Sequence, residues 1–315
     1  MTAMDRTPEE IGRKMNALGL WDAFGRFTWA VRLHGYAIPY FCTVARGDSQ
    51  PVVYRFLMLE GWQTLHDFVR TGHDHNYGYY SNPMELPHFE LVVFKDGRIQ
   101  VFRHDPGYFP RALNDRERAL CVRILWEAYG LLLRFESDRM LPLKFADEKA
   151  MFARVESADG VWGDEPLSIP QAQPYVERIT FEKADLARAK DLPFVADEIL
   201  DVDFRLLPTV TTCEARPRCC YLLAAVDGKT GERVIWTKTS VNPDCGLKSL
   251  WERMAPRFLK HLLARGHVPG EIRLVSGRVF RMIRPLGVEL PFKLSLHDRL
   301  SQLEAAIRLE AQPKS

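Results

Sequence analysis

The chain has 315 residues, 46% of them hydrophobic and 27% charged, with a formal net charge of +2. This is the make-up of a globular protein of about two domains; it excludes a disordered chain and a polyanion binder recognisable by bulk charge. Residues 1–10 are polar, and no apolar run reaches the roughly 18 residues of a membrane span, which predicts a soluble, cytoplasmic protein without a membrane partner.

The first half reads as an α+β domain. Ile11, Met15, Leu18, Leu20 and Trp21 can line one helix face, and strand-like runs follow at 27–33, 36–45 and 51–59. Residues 61–71 fit a short helix, and 72–88 read as a long loop rich in Gly, Pro and aromatic residues. Residues 89–94 and 98–103 alternate around Asp96-Gly97, the pattern of a hairpin. Asn114, with Glu117 three residues on, starts a helix reaching Phe135, whose buried face is Leu120, Ile124, Leu125, Ala128, Leu131 and Leu132. Residues 137–172 show no long periodic element, and a domain boundary is expected near 165.

The second half, residues 166–315, is expected to be an α/β domain. A strand at 175–181 and a helix at 183–190 precede an extended stretch at 198–207. Residues 219–240 form the clearest hairpin, turned at Asp227-Gly228. A helix over 246–265 is kinked or split by Pro256, and strand 271–275, helix 277–285, strand 287–294 and helix 296–309 follow. The expected fold class is therefore α/β (or α+β) in two domains. The C-terminal one is a mixed sheet that opens with a hairpin, continues as alternating helices and strands, and is loosely ribonuclease-H-like.

Two stretches carry a family likeness: the run from His104 to Glu117, and the run from Leu222 to Trp236, with Pro269–Val275 and Pro285–Leu290 further on. Together they resemble a family of bacterial two-domain proteins of unknown function, over 90–136 and 217–309. The resemblance implies two domains and a bacterial source; it implies no activity and no site residue.

Five constellations bear on chemistry. His66, His73, His75 and His88, with Asp67, Asp74 and Glu90 nearby, are metal-ligand types, but their spacing matches no zinc motif. Cys213, Cys219, Cys220 and Cys245 lack paired knuckles, and adjacent Cys219 and Cys220 point to opposite faces of a strand. Gly228-Lys229-Thr230 imitates the end of a phosphate loop whose earlier glycine is missing, since Leu223 stands there. Asp227 is the one acid placed where a two-metal nuclease would want several, and it reads better as a turn stabiliser. Residues 257–299 hold nine Lys or Arg against three Asp or Glu, and Arg278, Arg281 and Arg284 recur every third residue along a short helix.

No set of catalytic groups is gathered. The expected function is a non-catalytic module that binds a protein or small-molecule partner, with Arg278, Arg281, Arg284 and Asp227 as ligand-binding candidates and His66, His73, His75 and His88 as metal candidates. No cofactor and no nucleic-acid partner are expected. The alternative is a metal-dependent hydrolase or nuclease of ribonuclease-H-like fold, with an incomplete acidic site around Asp227.

Overall fold

The structure, a computed structural model, describes residues 6–25, 27–46, 51–73, 85–144, 147, 149–172, 178–211, 216–242 and 244–311. The chain divides into two compact units. The first takes in residues 1–66, 86–105 and 110–173, and the second 67–85, 106–109 and 174–315. Each is a mixed sheet with helices. Among the described residues, no helix is long and apolar enough to cross a membrane.

In the first unit, α1 (Pro8–Ala17), α2 (Trp21–Phe24), the start of α3 (Gly61–His73), whose residues from 67 on count with the second unit, and α4 (Asp115–Ser137) accompany seven strands. These are β1 (Trp29–Arg32), β2 (Tyr40–Arg46), β3 (Val52–Glu60), β4 (His88–Phe94), β5 (Ile99–His104), β6 (Ala150–Glu156) and β7 (Trp162–Ser168). The order across the sheet is β5-β4-β3-β2-β1-β6-β7, and only the β1–β6 pairing is parallel.

Local chemistry explains the two long-range helices. Thr7 with Glu10 and Asn114 with Glu117 each form reciprocal capping boxes, which satisfy backbone donors that the first turn leaves unpaired. All six apolar positions expected on α4 are buried, and they pack with Ile11, Met15, Trp29, Phe56 and Leu91 in one core. Strand alternation follows: Phe89, Leu91 and Val93 enter that core, so His88, Glu90 and Val92 lie on the other face of β4.

The β6–β7 hairpin departs from the sequence expectation for 137–172. β7 reads Trp-Gly-Asp-Glu-Pro-Leu-Ser, which has neither alternation nor high strand propensity. It is an edge strand, where a proline is tolerated. Its Asp164 is gripped by Arg134 of α4 and Arg154 of β6, so tertiary ion pairs supplement a weak local preference.

The second unit runs α5 (Lys183–Lys190), β8 (Phe194–Thr211), β9 (Arg218–Asp227), β10 (Arg233–Ser240), α6 (Gly246–Glu252), α7 (Met254–Arg265), β11 (Val268–Leu274), α8 (Gly277–Glu289), β12 (Lys293–Leu296) and α9 (Ser301–Ala311). Its sheet order is β10-β9-β8-β11-β12. β8, β9 and β10 form an antiparallel meander, while β11 and β12 join β8 in parallel. Leu200, Val202 and Phe204 face the main helical core with Trp251, Phe258 and Met282. On the opposite face Leu222, Ala224 and Val226 meet Leu303 and Ile307 of α9.

Three expectations are corrected here and one is met. The 227–228 turn is longer than two residues: Asp227 and Glu232 close it, and Gly231, at φ 76°, supplies the left-handed position. The helix expected over 246–265, kinked or split by Pro256, is split as expected, at Arg253, because Pro256 has no N–H and its ring crowds the carbonyl of residue 252. The segment 287–294 is not a strand throughout. Val279, Met282, Ile283 and Leu286 keep helical spacing and stay buried, so α8 runs on to Glu289, and β12 begins only at Lys293. Residues 178–181 are not a strand, and 173–177 lie outside the described residues.

Candidate metal centre

The hairpin of β4 and β5 is symmetric about Asp96, so residue 88 pairs with residue 104 and residue 90 with residue 102. This puts His88, Glu90 and His104 together on one face, all buried. One ligand atom from each lies within 4.8 Å of the others, and this is the only such group of three among the described residues.

His88 Nδ1 donates to the carbonyl of Leu86 at 2.8 Å, which leaves Nε2 carrying the lone pair. The His88 and His104 rings stack at 4.2 Å and 13°. His104 Nε2 meets Glu90 Oε2 at 2.7 Å, while its Nδ1 is buried with no hydrogen-bond partner. Arg55 of β3 approaches the other carboxylate oxygen, Oε1, at 3.3 Å.

Burial, then the charge of His104, pushes the His88 imidazole down to about 3, so it stays neutral. Burial pulls the Glu90 carboxyl upward. The hydrogen bond and charge of His104, with Arg55 behind them, outweigh burial and hold it below its ordinary value. The result is one neutral imidazole with an aimed lone pair beside an ionised carboxylate.

Of the other histidine candidates, His66 lies on α3, stacked on Trp62 at 6.2 Å, and is not part of this group. The side chain of His73 and all of His75 lie outside the described residues, as does Cys213. Glu90 stood beside His88 in the sequence. His104 did not, yet the Asp96-Gly97 symmetry points to it.

In the second unit, Asp227 holds its own turn, with Oδ1 accepting the backbone N–H groups of Lys229 (2.9 Å) and Thr230 (2.7 Å). Cys219 and Cys220 enter opposite cores and do not share a site. Arg278, Arg281 and Arg284 are buried, half-buried and exposed in turn. Steps of three residues rotate 300° around a helix, so the three drift off any common face. Arg278 stacks on Trp251 at 3.5 Å and pairs with Glu85 at 3.4 Å.

Sequence reasoning also passed over Asp201, the acid at the centre of β8. It occupies an alternating stretch, Leu200-Asp-Val-Asp-Phe204, whose polar positions face away from the main core. Asp201 is buried and its Oδ1 has no hydrogen-bond partner. Burial raises its pKa, opposed by Arg273 and His297 and reinforced by Asp227 and Glu271. Nearby, Ser295 Oγ donates to Glu271 Oε1 at 2.7 Å and lies 3.0 Å from His297 Nε2. The serine's single proton goes to the acid, so His297 donates to it rather than serving as its base.

Asp201→Asn should therefore stabilise the protein by about 0.5–2 kcal/mol at pH 7. The sign follows from linkage. An unfolded Asp loses its proton near 3.8, whereas the folded one keeps it to higher pH. Stability falls as pH rises through that window, and the penalty persists above it. Urea unfolding at pH 7 checks this, and the gain should shrink as the pH falls towards the lower end of the window. A loss of stability in the variant at pH 7 would mean that the carboxylate is paired.

Residues 185–309 match a family described as "Domain of unknown function (DUF6930)", which lies within the second unit. No curated protein and no solved structure matches the chain. The C-terminal part of the chain thus carries a domain of a family whose function is not assigned.

Proposed function

We propose that the chain is a binding protein rather than an enzyme, and that one of its ligands is a divalent transition-metal ion held by His88, Glu90 and His104. One observation carries this reading: three ligand atoms of suitable type lie within 4.8 Å on one hairpin face. Two imidazoles and a carboxylate suit zinc, iron or nickel better than calcium or magnesium. The Leu86 carbonyl that receives the His88 N–H is the kind of outer support that orients metal-binding imidazoles. Arg55 competes for Glu90 but engages Oε1, which leaves Oε2 as the ligand oxygen. All three side chains are buried, and three protein ligands leave a fourth coordination position to be filled by another group.

The hydrolase alternative lacks comparable support. A two-metal site needs carboxylates that share an ion. Asp201, Asp227 and Glu271 form no such group, and Arg273 brings a cation beside Asp201 instead. The reading places the protein in the cytoplasm, where thiols stay reduced. The five described cysteines, Cys42, Cys121, Cys219, Cys220 and Cys245, are all free.

The test uses full-length protein purified without a histidine tag. One equivalent of Co(II) should bind and show ligand-field absorption, and His104→Ala should abolish both. Zinc at a hundredfold excess over its Kd should add about 2.7 kcal/mol of stability to the wild type and none to the variant. Failure of the wild type to take up either metal, while folded, overturns the metal assignment.

A further inference from the structure

The second unit contains a cavity of about 440 Å³ between α7, the first turn of α5 and residues 178–182. This is within the range of small-molecule sites. Its floor includes Phe181 and Leu259, which belong to or pack on the main core. Its rim carries Arg178, Arg253, Arg257 and Lys260.

The charge balance on this rim is uneven. α7 contains no acidic residue. Arg253 donates only to the carbonyl of Ser249, at 3.0 Å, and Arg257 only to the hydroxyl of Thr239, at 2.5 Å. Among the described residues neither guanidinium is paired with a carboxylate. Burial, then the charge of Arg253, lowers the pKa of Arg257, so the two cations repel each other in a partly desolvated place. Two of the three acids at the rim are already engaged. Glu252 accepts the N–H of Arg178 at 3.3 Å and faces Lys248 at 3.8 Å, and Asp185 faces Arg188 at 3.6 Å. The third, Glu182, is exposed.

We infer that this cavity binds a phosphorylated small molecule, its phosphate held by Arg253 and Arg257 and its apolar part lying over Phe181 and Leu259. Adjacent guanidiniums one helical turn apart offer paired donors to phosphate oxygens. An anion there relieves the repulsion that the folded chain otherwise bears, and the concave site beside Phe181 and Leu259 distinguishes it from a merely solvated basic face. This inference is independent of the metal centre, which lies in the other unit.

Inorganic phosphate and pyrophosphate are the probes, titrated calorimetrically into full-length protein at constant ionic strength, with chloride as the control. Pyrophosphate should bind with 1:1 stoichiometry, and Arg257→Gln or Arg253→Gln should weaken it at least tenfold. Each variant's unliganded melting curve establishes that it is folded. As a second variant set, Arg281→Gln and Arg284→Gln on α8 should leave the affinity unchanged. The inference is overturned if pyrophosphate heats match the chloride control, or if the α7 and α8 variants weaken binding equally.

Discussion

Replacing Arg278 by alanine should cost about 3–5 kcal/mol, because it removes the cation that faces a buried carboxylate. Arg278 and Glu85 are each only 1% exposed in their side chains. The guanidinium lies flat on Trp251, and Tyr221 hydrogen-bonds the Glu85 carboxylate. Burial, followed by that acidic neighbour, drives the Tyr221 hydroxyl far above its ordinary pKa, so it remains a neutral donor. Removing the arginine takes away a buried cation that faces Glu85, together with packing on the indole. Urea unfolding of Arg278→Ala, Glu85→Gln and the double variant checks the argument. The double variant should lose clearly less than the sum of the two singles, since it leaves no uncompensated charge. Additive losses, or a single loss below about 1 kcal/mol, would contradict it.

Gly270→Ala should be comparably damaging, by about 3 kcal/mol or more, or should prevent folding. β11 meets β8 with a register shift between Pro269 and Glu271, and Gly270 occupies that irregularity. A Cβ there would lie 2.0 Å from the carbonyl oxygen of Ala196, which is backbone and has little freedom to move. The two central parallel strands would have to separate. Gly130 of α4 is the control. It has open space around the Cβ position, and Gly130→Ala should stabilise by about 0.5–1 kcal/mol through chain entropy. Equal effects at the two positions would show that close strand approach is not the constraint.

The residues differ in how plainly they announce their roles. Asn114 and Glu117 are three apart and satisfy each other's backbone donors, so the start of α4 is legible from a tetrapeptide. Its apolar stripe is legible because burial repeats with the helical period. Asp227 was also readable as a turn residue, since its carboxylate reaches only its own next neighbours. β7 was not, because its stability resides in a partner strand and in arginines from α4 and β6. The end of α8 was misjudged for a similar reason. Pro285 suggests a stop, whereas Leu286 and Leu290 are held by the core around them.

The candidate metal centre divides in the same way. His88 and Glu90 are two apart on a strand, so their shared face follows from the pleat. His104 joins them only because a hairpin folds fourteen residues of chain back in register.

What the sequence by itself determined was set by neighbours a few residues away: the Asn114 cap, the apolar stripe of α4, the place of the hairpins at 89–103 and 219–240, and the mixed α and β character of both halves. What the tertiary structure alone decided was which polar groups are enclosed together. Arg278 looked like part of an exposed basic face and is instead sealed against Glu85 and Trp251. Arg257, counted in the sequence only as the first of a basic run, borders a cavity together with Arg253, and neither guanidinium is paired with a carboxylate among the described residues. The physical reason is range: hydrogen bonds within a turn and periodic burial act over a few residues, while desolvation and charge pairing depend on whatever distant segment the fold brings alongside.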